Sequence, residues 1–303
     1  MSGKTALTPE TRGLLLGLIG VMAFSLTLPA TRAAVAALHP VFVGSGRAVV
    51  AACIAALVLL AGKHRLPTRL EMRSLAVVAA GVVVGFPTLT ALAMRQVDAS
   101  HGGIMLGILP LGTAVAGVIF SHERPSLRFW LMALLGSALV VSFSLLKGGG
   151  SFQPGDLALL GAVVSASIGY AVGARLAASL GGLGVISWAL VFSAPFLLIP
   201  TIVYAPRTLD LPLSAWAGFA YVSIVSQYIG FLPWYRGLAL GGIARVGQTQ
   251  LLQPFFTLIA AALLLGETID ATTVAFAALV FLIVASGKRG GGKPEAIVRR
   301  TQA

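Results

Sequence analysis

The chain is written in long apolar runs separated by short polar breaks. Runs near residues 13–30, 41–62, 74–93, 103–120, 129–146, 157–177, 185–204, 214–235, 246–265 and 271–287 approach the ~20 residues a helix needs to cross a bilayer. None shows the alternation of a membrane barrel strand. In hydrocarbon, a helix satisfies its backbone polar groups within itself. Ser126, Asp156, Ser214 and Asp270 each stand just before an apolar run, where an N-cap acceptor belongs. The pattern predicts an all-α integral membrane protein of ten transmembrane helices.

Composition sharpens this. The 303 residues are 57% hydrophobic and 10% charged, where a soluble domain carries about 25% charged residues. The net charge of +12 is scattered in short clusters with no continuous basic face, which argues against nucleic acid as a partner. Cys53 is the single cysteine, so neither an intramolecular disulfide nor a two-cysteine metal site is expected. His39, His64, His101 and His122 sit singly at run ends, without ligand spacing, and no metal is expected. Residues 13–30 resemble a signal peptide behind Lys4 and Arg12. Nine further runs follow and no cleavage motif is clear, so this run reads as the first membrane helix.

Charge also orients the chain. With a cytoplasmic N-terminus, one side holds Lys4, Arg12, Lys63, Arg65, Arg69, Arg73, Arg124, Arg128, Arg175, Arg236, Arg245 and the five basic residues of the tail 288–303. The other side and its helix ends keep Arg32, Arg47, Arg95, Lys147 and Arg207. The positive-inside rule then puts both termini in the cytoplasm.

The two halves repeat each other. Pro110 precedes Glu123 by 13 residues, as Pro254 precedes Glu267, and the pairs are 144 residues apart. Ala23-Phe24-Ser25-Leu26-Thr27 with Arg32 matches Ala166-Ser167-Ile168-Gly169-Tyr170 with Arg175 at an offset of 143. The expected units are a first five-helix repeat at 13–146, a linker at 147–156, a second repeat at 157–287 and a basic cytoplasmic tail at 288–303. Five spans is an odd number, so the second repeat must be inverted around a central cavity, an arrangement common in secondary transporters.

These residues resemble the drug/metabolite transporter superfamily in its EamA-type branch. A proline in the fourth helix of each repeat and a glutamate ending it (Leu109-Pro110 with His122-Glu123-Arg124, Gln253-Pro254 with Gly266-Glu267) carry the likeness. His39-Pro40 followed by Arg47 in the second helix adds to it. The stretch from Ala23 to Arg32 is most similar to bacterial exporters of amino acids, including aromatic ones. The resemblance implies alternating access, no cofactor, and a cavity lined by helices 1, 3, 4, 6, 8 and 9.

All nine carboxylates lie in flanks or loops. A proton-coupled transporter usually keeps an ionisable group inside the membrane, so facilitated uniport is the expectation. Only Arg47 is placed to be embedded, with the option of snorkelling outward, which disfavours a doubly charged anion. A zwitterionic or neutral small molecule, possibly aromatic, fits better, with the lipid bilayer as the other partner. The substrate-binding candidates are Ser25, Thr27, Phe86, Thr90, Met105, Tyr170, Gln227, Trp234, Gln248 and Gln253. Pro110 and Pro254 are the candidate helix breaks, against plain packing kinks. For Gln248 and Gln253 the alternative is interhelical hydrogen bonding. In the eighth helix, Ser223/Gln227/Gly230/Trp234 competes with Tyr221/Tyr228/Tyr235 for the cavity. Gly81/Gly85, Gly103/Gly107 and Gly161/Ser165/Gly169/Gly173 read as packing faces. Glu123 and Glu267, at opposite membrane sides, read as loop anchors and caps. No acid–base pair or nucleophile constellation supports an enzyme; export of other neutral or amphipathic drugs or metabolites is the stronger alternative.

Overall fold

The computed structural model describes residues 7–123, 125–147 and 153–287. Lys4, Arg124, residues 148–152 of the expected linker and the basic tail lie outside them. Among the described residues every regular element is helical. The chain runs through α1 (Pro9–Ser25), α2 (Thr27–Val35) and α3 (Pro40–Ala61). Then α4 (Arg69–Val78) passes through a π-helical stretch, Ala79–Gly85, into α5 (Phe86–Ala93). Next, α6 (Ala99–Met105) passes through a 3-10 turn, Leu106–Ile108, into α7 (Leu109–Ser121), and α8 (Leu127–Lys147) follows. The second half holds α9 (Pro154–Val203), then α10 (Leu213–Tyr221), a π-helical Val222–Ile229 and α11 (Phe231–Gly241). It ends with α12 (Ile243–Gly247), a 3-10 Gln248–Leu252, α13 (Gln253–Leu265) and α14 (Ala271–Gly287).

The interruptions recur. The two π-helical stretches begin 143 residues apart, and the two 3-10 stretches 142 apart. Both 3-10 stretches lead directly into helices carrying Pro110 and Pro254 in their first two positions, where the missing proline N–H disturbs nothing.

Seven helical runs among the described residues are long and apolar enough to cross a membrane, against the ten spans expected from hydropathy. The expected spans 157–177 and 185–204 run together in α9, whose 50 residues are interrupted at Gly181. Gly181 holds φ 71 and ψ 159, with open space where a Cβ would stand. Only glycine occupies this region without strain. Gly181→Ala is therefore expected to destabilise the protein by about 1–3 kcal/mol through the backbone alone, read as a lowered thermal midpoint in detergent.

Some helix starts differ from expectation. Asp270 does cap α14, its Oδ1 accepting from the Thr273 N–H at 2.8 Å. Ser214 does not cap: α10 starts one residue earlier, behind Pro212. The cap of α9 is Gln153, and Asp156 sits inside the first turn. There it is fully buried, accepts from the Gln153 N–H at 3.0 Å and meets His101 Nε2 at 2.6 Å.

Small residues set the closest approaches. The expected faces of Gly81/Gly85 and Ser165/Gly169 meet each other: a Cβ on Gly81 would fall 2.5 Å from the Ser165 carbonyl oxygen. A second such contact joins α1 to α11, where Gly13 and Gly17 face Gly237 and Gly241 backbone to backbone. Without a hydrophobic drive between helices in lipid, this kind of close packing is what holds them together.

Candidate functional site

A small enclosed cavity lies where both halves of the chain meet. It is lined by Phe24, Thr27, Arg47, Val82, Phe86, Tyr170, Ser226, Gln227, Phe231 and Gln253. Its free volume is about 10 Å³, no more than one water molecule requires. In this arrangement of the helices the space admits nothing larger.

Five expected candidates are brought together here: Thr27, Phe86, Tyr170, Gln227 and Gln253. The other five are buried but are not part of the lining. Ser25 donates to the Val21 carbonyl and Thr90 to that of Phe86, each at 2.7 Å, as hydroxyls do when a helix offers them nothing else. Met105 is core. Trp234 stands behind the lining, edge-on to Phe24 and Tyr170 with centroids at 6.0 and 5.2 Å. Gln248 lies in the 3-10 stretch before α13, its amide buried without a partner among the described residues.

The polar part of the cavity is a network centred on Arg47, which is 1% exposed. The expected option of snorkelling to the surface is thereby corrected. The guanidinium is held inside because Nε donates to the Val222 carbonyl at 3.1 Å and Nη2 to Ser226 Oγ at 2.8 Å. Ser226 Oγ also bonds Thr27 Oγ1 at 2.8 Å. Gln227 Nε2 donates to the Val82 carbonyl at 3.0 Å. Both accepting carbonyls belong to the π-helical stretches. The lining of this small space includes Arg47 of α3 and, among the described residues, none of α6 or α7.

Phe24, Val82, Ser226 and Phe231 were missed in the sequence, and Arg47 was discounted. The π-helical stretch explains part of this. Its wider turn sets Ser226 on the face of Phe231, five residues on, so that both share the cavity with Gln227, whereas ordinary helical spacing keeps Ser226 off that face. Phe24 sits in the stretch that carried the resemblance, so that signal was present and went unread. The tyrosine stripe is structural. Tyr221 donates to the Ala23 carbonyl at 2.9 Å, Tyr235 to that of Gly169 at 3.2 Å, and Tyr228 shares a bond with Ser187 Oγ at 2.9 Å.

Glu123 and Glu267 lie away from the cavity and cap helices reciprocally. Glu123 accepts from the N–H groups of Ile243 and Ala244 at 2.8 and 2.9 Å. Glu267 accepts from Ala99 and Ser100, both at 2.9 Å. All donors and acceptors of the first set are related to those of the second by 144 residues. Each glutamate thus ends a helix of one half and starts its counterpart in the other, placing a charge where the helix N-terminus favours it. Arg32 closes around this on one side, reaching Asp98 and, at 3.4 Å, Glu267.

Comparison with known proteins agrees. The EamA-like transporter family model matches twice, over residues 11–144 and 153–286. An uncharacterized transporter of Bacillus subtilis (strain 168), YdeK, is 46% identical over 280 residues, which span 92% of this chain and 98% of that protein. A chain of known crystal structure, 19% identical, superposes over 91% of this chain and 98% of its own with a TM-score of 0.69, a likeness of fold alone. With both halves matched and a relative aligned almost end to end, this chain is a multi-pass membrane protein that belongs to the EamA-like transporter family.

Proposed function

We propose that the protein exports small zwitterionic or neutral metabolites, amino acids including aromatic ones in particular, by alternating access and as a uniporter. Ten transmembrane helices in two inverted five-helix repeats would surround the cavity, with both termini on the cytoplasmic side of the inner membrane. The observation that carries this reading is the closed cavity itself. Side chains from both halves converge on it, it mixes aromatic rings with hydrogen-bonding groups, and among the described residues its lining contains no carboxylate or histidine. A binding site at the repeat interface is what an inverted-repeat transporter uses. Proton coupling would call for an ionisable carrier there. The 144-residue relation between the glutamate caps supports the repeat, and the double family match supports it independently. Nothing in this arrangement calls for a chemical step.

The test is counterflow in proteoliposomes preloaded with unlabelled amino acid, with trace label outside, run with and without a pH gradient. The expected result is transient accumulation that ignores the gradient. Accumulation that follows the pH gradient overturns uniport. Accumulation of no amino acid overturns the cargo and redirects the search to other neutral metabolites and drugs.

A further inference from the structure

Two buried polar atoms in the cavity have no partner among the described residues: Arg47 Nη1, a donor, and Gln227 Oε1, an acceptor. Both residues are 1% exposed and both line the same enclosed space. Neither is free to turn away. Arg47 is fixed by its bonds to Val222 and Ser226, and Gln227 by its bond to Val82. Arg47 makes no ion pair among the described residues.

A guanidinium buried without a counter-ion is costly, and so is an amide oxygen buried without a donor. Such groups are kept where something arrives to satisfy them. An unpartnered guanidinium N–H on a residue that lines a closed space suits a carboxylate. A neutral amide oxygen on another residue of the same lining suits an ammonium or hydroxyl hydrogen. Phe24, Phe86, Tyr170 and Phe231 supply the apolar remainder of the wall.

Resting on the transporter reading above, we infer that Arg47 Nη1 is the anchor for the single carboxylate of the cargo, and Gln227 Oε1 the acceptor for its ammonium. The site then selects α-amino monocarboxylates with an apolar or aromatic side chain. It rejects amines lacking the carboxylate, which would set a cation against Arg47. It also rejects dicarboxylates, whose second charge finds no partner in the lining.

The experiment uses the amino acid with the fastest counterflow of the twenty as label, and competes it with three unlabelled probes: itself, its α-amide and its decarboxylated amine. In the unaltered protein, the amide is expected to compete at least tenfold more weakly than the acid, and the amine more weakly still. In Arg47→Gln, binding of the acid falls at least tenfold and the acid-to-amide ratio collapses to within twofold. Gln227→Leu weakens the acid and the amide alike. Equal competition by acid and amide in the unaltered protein overturns the anchor, as does an unchanged ratio in a folded Arg47→Gln. If Arg47→Gln does not fold, judged by size exclusion in detergent, the ratio in the unaltered protein decides alone. Absence of counterflow for every amino acid overturns the cargo reading and this inference together, a result distinct from any ratio.

Discussion

Gly237→Ala is expected to destabilise the protein, lowering its monodisperse yield and its thermal midpoint. A methyl at this position would stand 2.8 Å from both the Gly13 carbonyl oxygen and the Gly17 nitrogen. Both are backbone atoms, so no rotamer change relieves the contact and α1 must shift as a body. Overpacking of this kind costs about 1–3 kcal/mol, a large share of the stability of most domains. Gly161→Ala provides the contrast. Its methyl would meet Leu89 Cδ1 at 3.2 Å, the end of a flexible side chain that can yield. The check is monodisperse yield and thermal midpoint in detergent. A Gly237→Ala midpoint equal to that of Gly161→Ala would show that the α1–α11 approach is looser than described.

Removing either reciprocal cap is expected to be comparably severe. Glu123→Ala strands the N–H groups of Ile243 and Ala244, and Glu267→Ala those of Ala99 and Ser100. Hydrogen bonds to a charged group contribute about 1.5–3 kcal/mol, and each substitution removes two. Glu267→Ala also takes from Arg32 one of its two carboxylates, so it is expected to be the worse of the pair. Glutamine in either place keeps an acceptor and recovers part of the loss. The two caps share no partner in these bonds, so the stability losses of the two alanine variants are expected to add if the halves unfold as one unit. A double variant no less stable than the worse single one would contradict that.

Much of the architecture was open to reading from the sequence. Apolar runs of membrane length report helices directly, since lipid admits few alternatives. The Pro110/Glu123 and Pro254/Glu267 pairs exposed the repeat because both ends of a capped helix must keep their chemistry. The capping role of those glutamates followed from their positions at helix ends. The facing glycine stripes at Gly81 and Gly169 were visible as small residues at helical spacing. The Gly13/Gly17 and Gly237/Gly241 faces carried the same signal and were overlooked.

What the tertiary structure alone decided concerns the cavity. Helical spacing assumes an even turn, and the π-helical stretch at Val222–Ile229 breaks that assumption, so Ser226 joins Gln227 at the space while Trp234 packs behind Phe24 and Tyr170. The fate of Arg47 was equally hidden. Whether an arginine snorkels or stays inside depends on acceptors 175 and 179 residues further along the chain, and no local pattern reports those. The sequence by itself determined that the chain is a series of long apolar helices and that its halves correspond, because apolar length is a property of each segment alone. Which polar atoms converge, and which are left waiting for a partner, is a property of several helices at once, so only their packing could settle it.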